Sequence, residues 1–453
     1  MNQSLLADRL AGIVGQDHVV TGERCSHYAV DGKVPTAAVF PATVEDLSEV
    51  MKVAASERLS VVPWGGGTKI GLGNMPVRVD LVVGLARLNR IIDHEPADLT
   101  ATFQGGALLG ELQAYLGQKG QFLPLDPPLP QRATIGGILA ANSSGPRRLR
   151  YGAPRDLVIG IRVVHADGRI TKGGAKVVKN VTGYDMNKLY IGSLGTLGII
   201  VEATFRIFPL PAMERTWLAS FPTGEAAASA VAQIMASTIE PSRIELLSPA
   251  AARSVAGQVG VSLPRASVAL ASSVGSVPEA VDAQIVAIGK ICAQSGSDFG
   301  TPLDGGGQEM LWAAIADFPS PNGTDRIEVS LRASILLTKV IETIRRAEEI
   351  ARSAGLESVA ISEAGSGIVR LHWRGDGGSP EETSAAMARG IEAFRRSIME
   401  GGGSLVVLAA PPAVKANVDV WGPVGAALPV MLELKGQFDP QKVLNPGRFV
   451  GGI

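Results

Sequence analysis

KVVKNVTGYDMNKLYIGSLGTLGIIVEATFRIF, residues 176–208, changes character twice along its length. In its middle, GSLGTLG places glycine at 192, 195 and 198, a period of three that lets the backbone approach another surface closely. After it, IIVEATFRIF alternates β-branched and aromatic residues with polar ones, the pattern of a half-buried strand. A Gly-rich turn therefore feeds a strand, and the turn is held against either a ligand or another stretch of backbone.

Upstream, AAVFPATVEDLSEVMKVAASERLSVVPWGGGTKIGLG from Ala37 reads as strand, turn, helix, strand and glycine loop. Thr43 suits an N-cap, and Glu45 and Asp46 fall in the first turn, where the helix dipole favours acids. Leu47, Val50, Met51 and Ala54 recur at helical spacing and predict one apolar face. Gly65, Gly66 and Gly67, followed by Thr68 and Lys69, can turn several N–H groups toward one point, which makes a nest for phosphate. A tight turn is the competing reading, because the loop matches neither a Walker-type sequence nor the dinucleotide fingerprint. VRVDLVVGL and ATFQGGALL read as strands, and Leu109, Leu112 and Leu116 share a face of a helix in LLGELQAYLGQKG.

FLPLDPPLPQRATIGGILAANSSGPRRLRYG carries five prolines between 124 and 146, which predicts an extended, preshaped path without regular structure. Loops of this length in compact domains are usually functional. Its basic cluster, Arg147, Arg148 and Arg150, reads first as a solvated face; if functional, it suits a partner subunit or an anionic substrate equally. DLVIGIRVVHADGRI predicts a hairpin turning around Ala166, Asp167 and Gly168, with His165 structural beside the turn. PLPAMERTW marks a boundary near residue 210, and from 213 to 420 apolar strands alternate with Ala-rich helices. That alternation predicts an α+β sheet with helices on one face. The closing VMLELKGQFDPQKVLNPGRFV reads as a short helix, a turn and an Asn-Pro-Gly stop.

At 453 residues the chain has room for two or three domains, each with its own core. A formal net charge of −1 gives no long-range field toward nucleic acid or an anionic bilayer. Asp8 and Arg9 interrupt the apolar N-terminal stretch, so neither a signal peptide nor a spanning helix is expected there, and the default location is cytoplasmic. The two cysteines, Cys25 and Cys292, are far apart and cannot hold an iron–sulfur cluster; any such cluster belongs to another chain.

KNVTGYDMNKLYIGSLGTLGIIVEATF resembles the end of the FAD-binding domain of the vanillyl-alcohol oxidase, or PCMH-type, flavoproteins. Within that group it is most similar to the FAD-binding subunits of bacterial glycolate oxidases. The resemblance covers most of the first 210 residues and the last 20, and matches the middle more loosely. It implies an α+β fold: a two-subdomain PCMH-type FAD-binding domain over 1–210, an α+β cap domain over 211–420, and a C-terminal segment, 421–453, that returns to the FAD domain.

By that resemblance Gly65, Gly66, Gly67, Thr68 and Lys69 hold the FAD pyrophosphate. The absence of histidine from this loop implies FAD that is bound non-covalently. Asp126, Thr134, Gly136, Gly137, Asn142, Ser144, Gly145 and Tyr151 carry over from the family's second FAD loop. Gly198 and Ile200 carry over from the strand whose backbone recognises adenine, and Asn445 and Arg448 from the closing run near the flavin ring. Leu194 departs from the many hydroxy-acid-oxidising relatives that have Glu there, so one polar contact is missing.

Oxidising a 2-hydroxy acid requires a hydride acceptor, a cation for the carboxylate and a group to take the hydroxyl proton. Relatives that do this alone carry HAGDGNLH in the cap; EAGSGIVR, 363–370, has lost both histidines, and no metal site is expected. Arg332, Arg370, His372 and Trp312 remain, and Arg370 and His372 share one face of a strand, where they could hold a carboxylate and accept a proton. The resemblance thus implies glycolate, or a similar small 2-hydroxy acid, as substrate, with a second FAD-binding subunit and an iron–sulfur subunit as partners. The location would be cytoplasmic, with attachment to the inner membrane through those partners. A self-sufficient flavin dehydrogenase and a flavoprotein-derived scaffold are the alternatives.

Overall fold

The computed structural model describes residues 3–174, 184–264, 267–318, 327–375 and 379–453, so KVVKNVTG at 176–183 lies outside the described residues. The chain divides into two units. The first comprises Met1–Ser144, Ala153–Leu210 and Pro423–Ile453, and the second comprises Gly145–Gly152 and Pro211–Gly422.

In the first unit, β1 (Val19–Thr21), β2 (Ala37–Val39), β3 (Val61–Trp64) and β4 (Leu81–Gly84) form a sheet in the order β1-β2-β4-β3. The pairs of β4 with β2 and β3 are parallel. The crossover helix, Val44–Ser56, begins with a capping box in which Thr43 and Asp46 satisfy each other's N–H groups. Leu47, Val50, Met51 and Ala54 are wholly buried, as their spacing predicts. A second, antiparallel sheet joins β5 (Ile91–Glu95), β6 (Thr100–Gln104), β8 (Val158–Val164), β9 (Ile170–Gly174) and β10 (Ile199–Arg206) in the order β5-β6-β10-β8-β9. β7 (Gln121–Phe122) pairs with β11 (Phe208–Pro209).

β10 corrects the half-buried reading. Ile199 and Val201 enter the core under the first sheet, while Ile200, Ala203 and Phe205 enter the core beneath the helix Leu109–Gly117. The strand is buried on both faces, and a register shift against β8 between Ile200 and Glu202 lets its apolar residues serve both cores. The proline-rich stretch is corrected too. Between Pro130 and Pro146 there is no proline, and Ile135–Ala141 forms a helix with Thr134 as N-cap. His165 is structural: buried, bonded to Thr171 and packed against Tyr190 and Phe438.

The chain end completes this unit. Leu444 forms a parallel bridge with Val61, with Val61 N donating to Val443 O (2.7 Å) and Asn445 N to Val61 O (2.9 Å). The helix Leu428–Phe438 ahead of it supplies Lys435, whose Nζ lies buried 2.7 Å from Asp439 Oδ2. Asp439 also accepts the N–H groups of Val443 and Leu444, and Lys435 donates to Thr196 O and Leu444 O.

The second unit is built on β12 (Met213–Phe221), β13 (Arg243–Leu247), β14 (Val268–Ser276), β15 (Phe299–Leu303), β16 (Ile327–Ser334), β17 (Leu356–Glu363), β18 (Ile368–Gly375) and β19 (Ser404–Ala409). They form one antiparallel sheet in the order β15-β12-β14-β13-β17-β18-β16-β19. Helices cover both faces rather than one. Gly224–Ala236, Pro278–Gln294, Val340–Ser353 and Pro380–Glu400 bury Phe221, Leu246 and Leu331. Pro249–Gln258 and Gly305–Ala316 lie on the opposite face over Leu218, Leu247 and Ile361.

That second layer of helices changes the reading of Arg370 and His372. Arg370 is 7% exposed and donates to the carbonyls of Ile315, Ala316 and Phe318, closing the end of the helix Gly305–Ala316. His372 is 1% exposed, with Ser330 Oγ at 3.4 Å from Nδ1. Burial, reinforced by the Arg374 charge, pushes its pKa down to about 4. Glu328 lies 3.3 Å from its Nε2 but is also held by Arg374 (3.2 Å), so desolvation prevails. Both side chains are enclosed in the sheet face, and neither is presented to a substrate within this unit.

Two stability tests follow from these buried charges. Asp439→Ala strands the Lys435 ammonium and two N–H groups, and is expected to cost about 3–5 kcal/mol in urea unfolding. For His372 the unfolded chain takes up a proton below pH 6.5, whereas the folded chain does not until about pH 4. Stability should therefore fall by up to about 3 kcal/mol as pH drops through that window, and His372→Gln should flatten that part of the pH–stability curve.

Candidate cofactor site

A groove in the first unit is lined by Pro63, Trp64, the whole run Gly65 to Ile70, Thr134, Gly137, Ala140, Ala141, Leu194, Asn445 and Arg448. Four separate pieces of chain meet there. β3 delivers the glycine loop, whose Gly67 takes φ +71° beside the Trp64 ring. The backbone N–H groups of Gly66, Gly67 and Thr68 donate to no described residue. Successive unspent donors at one wall of a groove suit the oxygens of a pyrophosphate.

The glycines at 65 and 66 are required for another reason as well. A Cβ at Gly66 would collide with the Arg132 carbonyl, and one at Gly65 with Thr134 Oγ1. Gly66 is small because it packs on the Arg132 backbone and Gly65 because it packs on the Thr134 side chain, and the packing leaves the N–H groups lining the groove.

The second wall is the helix Ile135–Ala141. Gly137, Ala140 and Ala141 stand at i, i+3 and i+4, so its groove face carries almost no side chain. Gly136 faces the opposite way, toward Gly105 O and Ile200 O. The loop after Tyr190 closes the helix end, with Gly192 N donating to Leu139 O (2.9 Å) and Leu194 N to Ala140 O (2.8 Å). Leu194 is held at φ 52°, strained for a residue with a Cβ, by that bond and by Asn445 Nδ2 donating to its carbonyl (2.6 Å).

Arg448 ties the same end of the groove together. It is buried, donating to the carbonyls of Ile70 and Leu72 and to Asn445 Oδ1 (3.2 Å). Burial pushes its pKa down to about 10, so it remains cationic at neutral pH.

Of the residues expected from sequence, Gly65, Gly66, Gly67, Thr68, Lys69, Thr134, Gly137, Asn445 and Arg448 line this groove. Asp126, Gly136, Asn142, Ser144, Gly198 and Ile200 belong to the same unit but not to the groove wall. Asn142 closes the helix at φ 45°, and its Oδ1 is shielded from solvent with no partner among the described residues. Gly198 is small because a Cβ would strike Val163. Gly145 and Tyr151 belong to the second unit. Sequence reasoning missed Ala140 and Ala141, although their spacing from Gly137 is a readable signal. It noted Leu194 only as a departure.

The residues fit a long, anionic, flat cofactor: unspent N–H donors and a helix face of Gly137, Ala140 and Ala141 that carries almost no side chain. Two family models match the chain, an FAD binding domain over residues 35–174 and the C-terminal domain of FAD linked oxidases over 210–406. The glycolate oxidase subunit GlcD of Bacillus subtilis is 29% identical over 419 residues, 92% of this chain and 89% of that protein. A D-lactate dehydrogenase of Archaeoglobus fulgidus is 28% identical, covering 91% of this chain and 90% of its own. Among solved structures, p-cresol methylhydroxylase with substrate bound superposes with a TM-score of 0.76 at 17% identity, over 98% of this chain and 96% of that one, a likeness of fold. The chain carries an FAD binding domain and the C-terminal domain of FAD linked oxidases, and is an oxidoreductase with FAD as its cofactor.

Proposed function

We propose that this chain is the FAD-binding subunit of a complex that oxidises glycolate, or a similar small 2-hydroxy acid, to the 2-oxo acid, with electrons leaving through an iron–sulfur partner. The observation that carries this reading is that relatives matching nearly its whole length are named for glycolate and D-lactate oxidation. Bound FAD would supply the acceptor for the hydride of the alcohol carbon, which carries both electrons of the oxidation. The chain's own residues hold the cofactor. Gly66, Gly67 and Thr68 offer backbone donors to its phosphates, Lys69 adds a positive charge, and Gly137, Ala140 and Ala141 let it lie against the helix.

Two features favour a complex over a self-sufficient enzyme. Two cysteines cannot ligate a cluster, and EAGSGIVR lacks the histidines of the HAGDGNLH pattern. Arg370 and His372, the remaining strand residues, are spent on closing a helix and on packing. No helix among the described residues is long and apolar enough to cross a membrane.

The purified chain should be yellow and should release intact FAD on acid precipitation, because the glycine loop has no histidine to bond it. Given glycolate or D-lactate with an artificial acceptor, it should turn over below ~1 s⁻¹ alone, and faster with a second flavoprotein and an iron–sulfur protein. Faster turnover by the isolated chain would support the self-sufficient dehydrogenase, and a colourless chain that takes up no FAD would support the scaffold. Gly137→Leu tests the groove directly. Its Cβ meets only Thr134 Oγ1, at 3.1 Å, so the fold should survive while FAD retention is lost. Gly66→Val cannot make that distinction, since it also breaks the packing on Arg132.

A further inference from the structure

Within the second unit, the register of β16 on β18 sets Arg332 opposite Arg370, so the two guanidinium groups leave the sheet on the same face. Their circumstances differ. Arg370 has three carbonyl acceptors and stands 3.9 Å from Glu245. Arg332 donates no hydrogen bond to any described residue, and its Nε is shut off from solvent with no partner. The residue is nevertheless only partly buried, so the rest of its guanidinium can be reached from outside.

The surroundings make this more unusual. Arg148, from the basic run that belongs to this unit, adds its charge to that of Arg332, and Glu363 is the acid facing them. With Arg370 and Glu245 on the same face, three cations meet two acids, and one positive charge is left over. Burial and the Arg148 charge together hold the Arg332 pKa below the usual arginine range. Elsewhere in the run Arg147 pairs with Glu214 (3.4 Å) and Arg150 with Glu240 (3.2 Å). A guanidinium with a desolvated Nε and no protein acceptor is costly, and a carboxylate offering two parallel oxygens is the group that best relieves it.

We infer that Arg332, assisted by Arg148, is the recognition site for the carboxylate of a small organic acid. The inference rests on the functional reading above, in that the acid is the 2-hydroxy acid substrate. The register of β16 and β18 fixes the Arg332 backbone, and Arg148 is placed by the same chain segment that follows Ser144. Because the site reads only a carboxylate, a neutral diol of the same size should not bind.

The test uses the full-length, FAD-loaded chain and oxalate as probe, with binding read by calorimetry. Wild type should bind oxalate and not 1,2-propanediol. Arg332→Met should weaken oxalate by about tenfold or more, Arg332→Lys should restore part of it, and the flavin spectrum should stay unchanged. Arg148→Gln should weaken binding by a smaller factor, and serves as the measurement if Arg332→Met does not fold. Unchanged oxalate affinity in Arg332→Met, or in Arg148→Gln where that variant is the measurement, overturns the site, as does a wild-type holoprotein that takes up no oxalate. If oxalate binds through Arg332 but the assembled complex oxidises no 2-hydroxy acid, the site stands and the functional reading falls. If Arg332→Met oxidises glycolate with an unchanged KM, the functional reading stands and this assignment falls.

Discussion

Loops that wall a cofactor groove carry carbonyls that neither helix nor sheet can satisfy, and buried carbonyls must be satisfied by something. Here the acceptors are Ile70 O and Leu72 O beyond the glycine loop and Leu194 O beyond the helix Ile135–Ala141. All three receive donors from Asn445 and Arg448, which also bond to each other. The run that contains them is anchored by the parallel bridge of Leu444 to Val61 and by the Lys435–Asp439 pair. Every wall of the groove therefore depends on one short piece of chain from the far end of the sequence.

Local chemistry was legible, and tertiary burial was not. The Thr43 cap, the Leu109, Leu112 and Leu116 face and the hairpin after Asp156 are short-range patterns, and each forms as its residues predict. β10 was misjudged because its pattern cannot reveal that two cores compete for one strand. The Ile135–Ala141 helix was hidden by flanking prolines, although none falls inside it. The helices Pro249–Gln258 and Gly305–Ala316 are rich in Ala and Gly, with little periodicity to declare them, and missing them left Arg370 and His372 apparently open.

The glycines of the opening motif show the same division. Their period of three is visible in sequence, but the reasons for it are not uniform. Gly192 and Gly195 take positive φ and turn the chain, whereas Gly198 has ordinary φ and is small because Val163 is against it. Leu194 between them occupies the left-handed region without being glycine, and only the bonds from Leu194 N to Ala140 and from Asn445 to Leu194 O explain how it is held there.

The discontinuity of the first unit bears on how such a protein is made. A ribosome releases residues through Leu210 early, the Gly145–Gly152 piece of the second unit among them, then the rest of the second unit, and only afterwards the run that satisfies Ile70, Leu72 and Leu194. During most of synthesis the nascent chain holds the glycine loop and its helix without the donors that fix their geometry. The groove is thereby left without those donors until the run from Pro423 has been made, and a product that stops before it lacks Asn445 and Arg448. The covalent order of the chain places synthesis of the second unit ahead of closure of the groove.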